Sequence, residues 1–139
     1  MRSDLGPDDV RELLEAPIVA ILATRRKDDT VLLSPVWFEW REGGFSVWAV
    51  SRDDGKVRHI ARDPRVSIVV ANSDWPYKGI EVRGQATLSD DGFYELLDRT
   101  ARRYLGDEGA ERMVGTYKPG VVIRIEPGDL RVWDYAEET

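Results

Sequence analysis

Short apolar runs alternate with charged or turn-forming segments along the chain, and this pattern predicts mostly β-strands. Strands are predicted at 18–24, 30–40, 45–51, 65–71 and 79–88, and in two C-terminal segments, VVIRIE and LRVWDY. In the strand 79–88, the even-numbered residues are apolar or small and the odd-numbered ones are polar, so one face is predicted to be buried. Pro35 lacks a backbone N–H, so its strand is predicted to be at an edge, bulged or interrupted there.

Helical patterns appear in four places. Pro7 is suited to the first position of a helix, and this first helix is predicted to end at Pro17. A second short helix is predicted before Pro64, within the segment 51–65, and a third is predicted to begin with Ser89 as its N-cap. The sequence DEGAERMVGTY then predicts a second helical piece after the third helix.

Short hairpins join most of the predicted strands, and this favours an antiparallel sheet over alternating strands and helices. The strands FSVWAVS and RVSIVVA are apolar on both faces. A closed or nearly closed barrel, packed against helices or another subunit, accounts for such strands better than an open sheet. The predicted fold is therefore mainly β with peripheral helices, in a single domain spanning residues 1–139.

Composition narrows the classes of function. The chain has 42% apolar and 33% charged residues, a net charge of −6, no cysteine and one histidine. The acidic balance argues against nucleic-acid binding, and the longest apolar runs are too short to span a membrane. The N-terminus lacks the apolar core of a secretion signal, which favours the cytoplasm. With His59 alone, no multi-histidine metal site can form, and we interpret this residue as a surface histidine.

The segment SRDDGKVRHIARDPR is strongly basic within this acidic chain. Lys56 and Arg58 are predicted in the first helical turn, where a cation is disfavoured by roughly 0.3–1 kcal/mol. An anion at the helix N-terminus, bound by these cations and Ser51, would remove that cost. Alternatively, Asp53 and Asp54 cap the helix and neutralise the lysine. The segment alone leaves both interpretations open.

Four segments in order resemble the FMN-binding split-barrel superfamily, the pyridoxamine 5'-phosphate oxidase-like proteins. They are TVLLSPVWFEW, FSVWAVSRDDGKVRHIARDPRVSIVV, WPYKGIEVRGQATL and VVIRIEPGDLRVW. Within the superfamily, the chain is most similar to the branch that uses the deazaflavin coenzyme F-420. The resemblance implies an antiparallel split β-barrel that forms a homodimer, with its sites at the subunit interface.

The resemblance also implies roles for individual residues. The cofactor phosphate would be held by Ser51, Lys56 and Arg58, with Arg52 close by. The ring would lie against Ser34, Pro35, Val36 and Trp37. The cofactor or substrate would be approached by Tyr77, Lys78 and Arg83, and Trp133 would reach the partner's site.

The expected function is that of an oxidoreductase that binds F-420 or FMN and passes a hydride to a conjugated small-molecule acceptor. Arg131 is the single arginine in the C-terminal segment EPGDLRVWDYAEET, where true pyridoxamine phosphate oxidases are arginine-rich, and this disfavours pyridoxal phosphate synthesis. F-420 carries an anionic tail, for which the candidate partners are Arg25, Arg26 and Lys27, with Arg52, Arg58 and Lys78. The alternatives are a non-catalytic flavin-binding or storage protein and a small barrel that binds single-stranded nucleic acid.

Overall fold

The computed structural model describes residues 4–138, so the predicted domain 1–139 extends beyond them at both ends. Seven antiparallel strands form one sheet in the order β2-β1-β5-β6-β7-β4-β3. The strands are β1 (Ala20–Arg25), β2 (Val31–Val36), β3 (Glu39–Arg41), β4 (Gly44–Ala49), β5 (Arg65–Ala71), β6 (Lys78–Ser89) and β7 (Val121–Asp134). The predicted antiparallel fold is confirmed.

The sheet curls so strongly that its two edges meet. Its edge strands, β2 and β3, are consecutive in the chain and are joined by Trp37 and Phe38 alone. The backbone between Val36 and Glu39 covers at most about 11 Å. A flat sheet of seven strands would hold its edges about 28 Å apart. The fold is therefore a curled half-barrel, split where β2 passes into β3.

The inside of this curl is a continuous apolar core. The strands alternate buried and partly exposed residues, as in β5, where Val66, Ile68 and Val70 are buried. Phe38 and Phe45 are completely buried and meet edge to face, with ring centroids 5.5 Å apart. Phe38 lies in the link between the two edge strands. Its burial therefore anchors this link, and with it the place where the barrel is split, to the core.

Three helices lie around the sheet. A 3-10 turn at Pro7–Val10 continues into α1 (Arg11–Glu15), α2 (Gly55–Arg62) follows β4, and α3 (Phe93–Val114) precedes β7. The long helix α3 is interrupted at Gly106, whose φ of 80° and ψ of 175° are non-helical, so two helical pieces are present as predicted. A last 3-10 turn spans Tyr135–Glu138. None of these helices has both the length and the apolar character needed to cross a membrane.

Two local predictions were wrong. Ser89 does not cap α3, because β6 continues through it, paired with Val122, and the cap position is taken by Gly92. The two C-terminal segments are not separate strands, because β7 runs through Pro127 without a break. The pairing between β6 and β7 shifts in register beside this proline: Gly84 pairs with Pro127, whereas Arg83 pairs with Asp129.

The position of Pro35 agrees with the expected edge strand. Pro35 lies in β2, opposite Ile21, where its missing N–H leaves no gap in the interior of the sheet. The interruption itself comes after Val36, at the link to β3. The apolar side chains of Val31 and Leu33 on this strand are 46% and 63% exposed, so β2 presents an uncovered apolar face.

Candidate cofactor site

A cleft of about 260 Å³ opens where the barrel is split, and we call it the lysine cleft. Four elements contribute to it: the end of β2 with the following link, β4, the start of α2 and the far end of α3. It is lined by Pro35, Val36, Trp37, Trp48, Lys56 and Met113. Four of these are residues that the sequence predicted for the cofactor site: Pro35, Val36, Trp37 and Lys56.

Lys56 supplies the positive charge of the lysine cleft. Its ammonium lies 2.9 Å from a carboxylate oxygen of Asp54, and the lysine side chain is only 15% exposed. Asp54 is also the N-cap of α2, because its other carboxylate oxygen accepts a hydrogen bond from the backbone N–H of Lys56. Asp53 does not cap the helix; its backbone N–H donates to Ser51 Oγ at 3.0 Å.

This geometry decides where an anion would bind. Asp54 already caps the N-terminus of α2. Of the two interpretations of the segment, capping by an acidic residue is therefore the one that holds at the helix terminus. An ammonium carries three N–H donors, and Lys56 uses one of them on Asp54. An incoming phosphate would therefore meet the side chain of Lys56 rather than the helix terminus.

Aromatic rings form one wall of the lysine cleft. Trp37 lies parallel to Tyr104, with the planes 5° apart and the centroids 4.7 Å apart. It meets Trp48 edge to face at 6.1 Å. The indole N–H of Trp48 donates to Thr100 Oγ1 at 2.9 Å, so the second ring is also held in one orientation. The cleft thus offers a planar ligand an apolar wall that is already ordered.

Tyr104 holds this wall to the rest of the molecule. Its hydroxyl donates to the carbonyl oxygen of Ile18 at 2.6 Å and accepts from the guanidinium of Arg103 at 2.9 Å. The backbone N–H of Phe38 lies 3.4 Å from the same hydroxyl. The Arg103 guanidinium also lies over the rings of Phe38 and Tyr104, at 4.6 and 4.8 Å. This network fixes the link that carries Trp37.

A second cleft, of about 570 Å³, lies along α2, and we call it the basic cleft. It is lined by Arg26, Lys27, Asp28, Arg58, His59 and Arg62. His59 is three residues beyond Lys56, a separation of about 4.5 Å along a helix axis. The two clefts therefore follow one another along the same helix.

His59 is the titratable centre of the basic cleft. Its Nδ1 lies 3.0 Å from the hydroxyl oxygen of Thr24, a buried residue of β1. Burial lowers the pKa of the His59 imidazole, and the positive charges of the surrounding arginines act in the same direction. The ring is therefore neutral near pH 7, and the charges of the cleft are those of its three arginines and Lys27, opposed by the carboxylate of Asp28.

The other predicted residues lie apart from the lysine cleft. Ser34 is half-buried in β2, and Arg52 is exposed ahead of α2. Lys78 forms an ion pair with Glu12, and Tyr77 packs edge to face on Trp75 at 5.3 Å. Among the residues that the structure describes, no three acidic or histidine side chains are arranged to hold a metal ion.

Arg83 and Trp133 lie on β6 and β7. Arg83 borders a third cleft, on the outer face of the sheet, and its guanidinium is 3.5 Å from the Asp129 carboxylate. The guanidinium of Arg131 lies 4.6 Å above the ring of Trp133. Neither predicted residue contributes to the lysine cleft within this chain.

Two residues of the lysine cleft were missed from the sequence. Trp48 packs on Phe93 and also lines the cleft. Met113 stands in the second piece of α3, and no local pattern connects it with Lys56. The strand alternation of β4, which leaves Trp48 half-buried between Val47 and Ala49, is the one feature that indicated its second role.

Comparisons with known proteins agree with this architecture. The family described as pyridoxamine 5'-phosphate oxidase matches residues 7–134. No curated protein sequence matches the chain. A conserved hypothetical protein from Mycobacterium tuberculosis has a similar structure, with a TM-score of 0.84 and 22% identity over 99% of this chain and 91% of that one.

Two further structures carry names that refer to cofactors. One is an F-420 reductase, with a TM-score of 0.70 and 26% identity over 87% of this chain and 94% of that one. The other is a FAD-binding protein from Mesorhizobium loti, with a TM-score of 0.64 and 18% identity over 92% of each chain. The family match covers nearly the whole chain and the structures share its fold: the chain belongs to the pyridoxamine 5'-phosphate oxidase family.

Proposed function

We propose that the chain is a cytoplasmic, homodimeric oxidoreductase that binds coenzyme F-420, or FMN, and passes a hydride to a conjugated small-molecule acceptor. One observation carries the proposal. The lysine cleft combines a half-buried ammonium with ordered aromatic rings at the split of a half-barrel. A phosphate and a planar ring system are the two parts of a flavin-type cofactor for which this cleft offers partners, an ammonium and aromatic rings.

The residues of the lysine cleft fit this cofactor. Lys56 would bind the phosphate through the N–H groups that Asp54 does not use. Trp37 and Trp48 would offer their apolar surfaces to the ring and exclude water from it. The bound cofactor would supply the hydride, and this chain would bind, orient and shield it.

The basic cleft favours F-420 over FMN. Both cofactors carry a ring system and a phosphate, but F-420 extends further as an anionic oligoglutamate tail. Arg58 and Arg62 are four residues apart, on one side of α2, and Arg26 and Lys27 face them from the turn after β1. The 26% identity to an F-420 reductase supports the same choice.

The uncovered face of β2 supports the proposed homodimer. Val31 and Leu33 are exposed on the edge strand that ends in the lysine cleft. Apolar side chains grouped on the exposed face of an edge strand are a common feature of surfaces that pair with another chain. A second copy on this face would close the cleft from outside and would bring its own residues towards the cofactor.

Solvent is the proton source that we propose for the reduced acceptor. Tyr77 and Lys78, which the resemblance places near the cofactor or substrate, are the other candidates, but neither lines the lysine cleft in this chain. The Lys78 ammonium is paired with Glu12, and the Tyr77 ring is 44% exposed beside Trp75. The protein's contribution is therefore binding and orientation, with no side chain acting covalently.

An anaerobic turnover assay tests the enzymatic part of the proposal. The purified protein is loaded with pre-reduced F-420 or FMN and mixed with a panel of enones, quinones and tetrapyrroles. Oxidation of the bound cofactor, with one acceptor reduced per cofactor, is the expected result. Tight binding of the reduced cofactor without reduction of any acceptor would instead identify a storage protein.

A further inference from the structure

A second apolar opening adjoins the lysine cleft, and we call it the helical groove. It has a volume of about 320 Å³ and lies against the second piece of α3. It is lined by Leu105, Gly109, Arg112, Met113, Thr116 and Tyr117. Met113 is the residue that it shares with the lysine cleft.

The boundary between the two openings is apolar. Met113 and Tyr117 pack, with Trp48, against the buried cluster that includes Phe93. The rings of Trp48 and Tyr117 are 5.7 Å apart, so the aromatic wall of the lysine cleft continues into the helical groove. Leu105, at the far end, is 47% exposed. The groove therefore offers apolar surface that is continuous with the site of the ring.

The shape of the boundary depends on one flexible side chain and one special backbone position. Methionine has three rotatable side-chain bonds and adapts to the volume around it. The helical piece that carries Met113 leaves the axis of the first piece at Gly106, in a conformation that essentially only glycine adopts. The direction of this piece sets how far Met113 reaches between the two openings.

We infer that Met113 is a specificity-determining residue, and that the helical groove takes the apolar substituent of an extended conjugated acceptor. This inference rests on the proposed function, because it assigns the acceptor of the same site. The conjugated part would lie against the cofactor ring at the mouth of the lysine cleft, on the side of Met113. An apolar substituent would pass Met113 and lie along Leu105 and Tyr117. Short acceptors would lie against the cofactor ring alone.

Direct binding of a matched pair of probes to the protein with oxidised cofactor bound tests the inference without turnover. The probes are 1,4-naphthoquinones with a 2-methyl or a 2-hexyl group, and the readout is quenching of tryptophan fluorescence. We expect the hexyl compound to bind the wild-type protein at least fivefold more tightly than the methyl compound. Thr116→Trp, which fills the groove without lining the lysine cleft, should remove this preference and leave the affinity for the methyl compound unchanged.

Two variants of Met113 complete the test. Met113→Ala should widen the passage and raise the preference for the hexyl compound at least threefold, and Met113→Leu, of similar volume, should resemble the wild type. An equal preference in the wild type, Thr116→Trp and Met113→Ala would overturn the inference. Cofactor titrations of the same proteins report on the proposed function separately. Intact cofactor binding with an unchanged probe preference would refute only the role of the groove and Met113.

Discussion

The ammonium of Lys56 lies 2.9 Å from the carboxylate of Asp54, the residue that caps the helix on which Lys56 stands. One acidic residue thus performs two tasks, since it satisfies the helix N-terminus and holds the lysine at the edge of the cleft. The same pair tunes the proposed phosphate site. The carboxylate positions the ammonium, but it also repels any anion that approaches it.

The variant Asp54→Asn removes the negative charge of this side chain and keeps its ability to cap the helix. Asparagine caps helices as well as aspartate does, so the fold should be retained. Removal of one nearby negative charge should tighten cofactor binding about fivefold, corresponding to about 1 kcal/mol. Titrations followed by cofactor fluorescence measure this change. Asp53→Asn is the control, because Asp53 is exposed and caps nothing; equal tightening in both variants would contradict the specific role of Asp54.

Tyr104→Phe tests the network that holds the split of the barrel. The substitution removes the hydroxyl that bonds to Ile18 and Arg103, and leaves these partly buried groups without that partner. We expect the free energy of unfolding to fall by about 1–3 kcal/mol in urea denaturation. Tyr94→Phe, which loses one bond at an exposed site, should change it by less than about 0.5 kcal/mol. Similar losses in both variants would show that the network has no special role.

Gly106→Ala tests the turn within α3. Alanine is strained at a φ of 80° and a ψ of 175°, so the variant should lose about 1–3 kcal/mol of stability. Gly115 has a φ of −79° and nothing within 4 Å of an added Cβ, so Gly115→Ala should be tolerated. Thermal unfolding compares the two. Equal stability of both variants would mean that the second piece of α3 does not depend on the conformation of Gly106.

His59 provides a single-residue probe of the basic cleft, since the chain has one histidine. Its pKa is lowered in the folded protein, so the unfolded chain binds more protons just below the ordinary value near 6.5. Stability should therefore decline as the pH falls from about 6.5 through the folded value, and His59→Gln should remove this part of the decline. Asp63, whose pKa is lowered to about 2 by hydrogen bonds from Arg65, acts in a more acidic range. Asp63→Asn should therefore leave the histidine-dependent range unchanged.

The same histidine reports on anions in the basic cleft. NMR titration of the ring should give a pKa below 6.5 in the free protein. Tetraglutamate, a mimic of the F-420 tail, should raise this pKa, because bound negative charge favours the imidazolium. Arg62→Gln should weaken the effect of the peptide. An unchanged pKa at saturating tetraglutamate would place the tail elsewhere.

The sequence correctly predicted the strands and helices that depend on the local pattern of residues. The alternation in 79–88 correctly predicted β6 and its buried face, and the spacing around Ile60 predicted α2. It failed where distant parts of the chain decide the outcome. Ser89 is a good N-cap by residue type, but pairing with Val122 holds it in β6, and Pro127 did not end β7 because β6 accommodates it with a shift in register.

The predictions for the site depend on local and distant parts of the chain in the same way. Lys56 and Trp37 lie in segments that resemble a known family, so the sequence predicted them for the cofactor site, and both line the lysine cleft. Met113 reaches the lysine cleft only because Gly106 redirects the second piece of α3, and neither feature has a pattern that points to the cleft. Lys78 was assigned to the cofactor side from its segment, whereas in this chain its ammonium is paired with Glu12.

Paired titration of the purified protein with F-420 and with FMN tests the central claim most directly. The wild type is compared with Lys56→Met and with Lys118→Met, an exposed lysine that lines none of the clefts described above. We predict micromolar or tighter binding of F-420, weakened tenfold or more, about 1.4 kcal/mol, by Lys56→Met and unchanged by Lys118→Met. Binding of neither cofactor, or equal affinities in all three proteins, would contradict the assignment of the lysine cleft as the cofactor site.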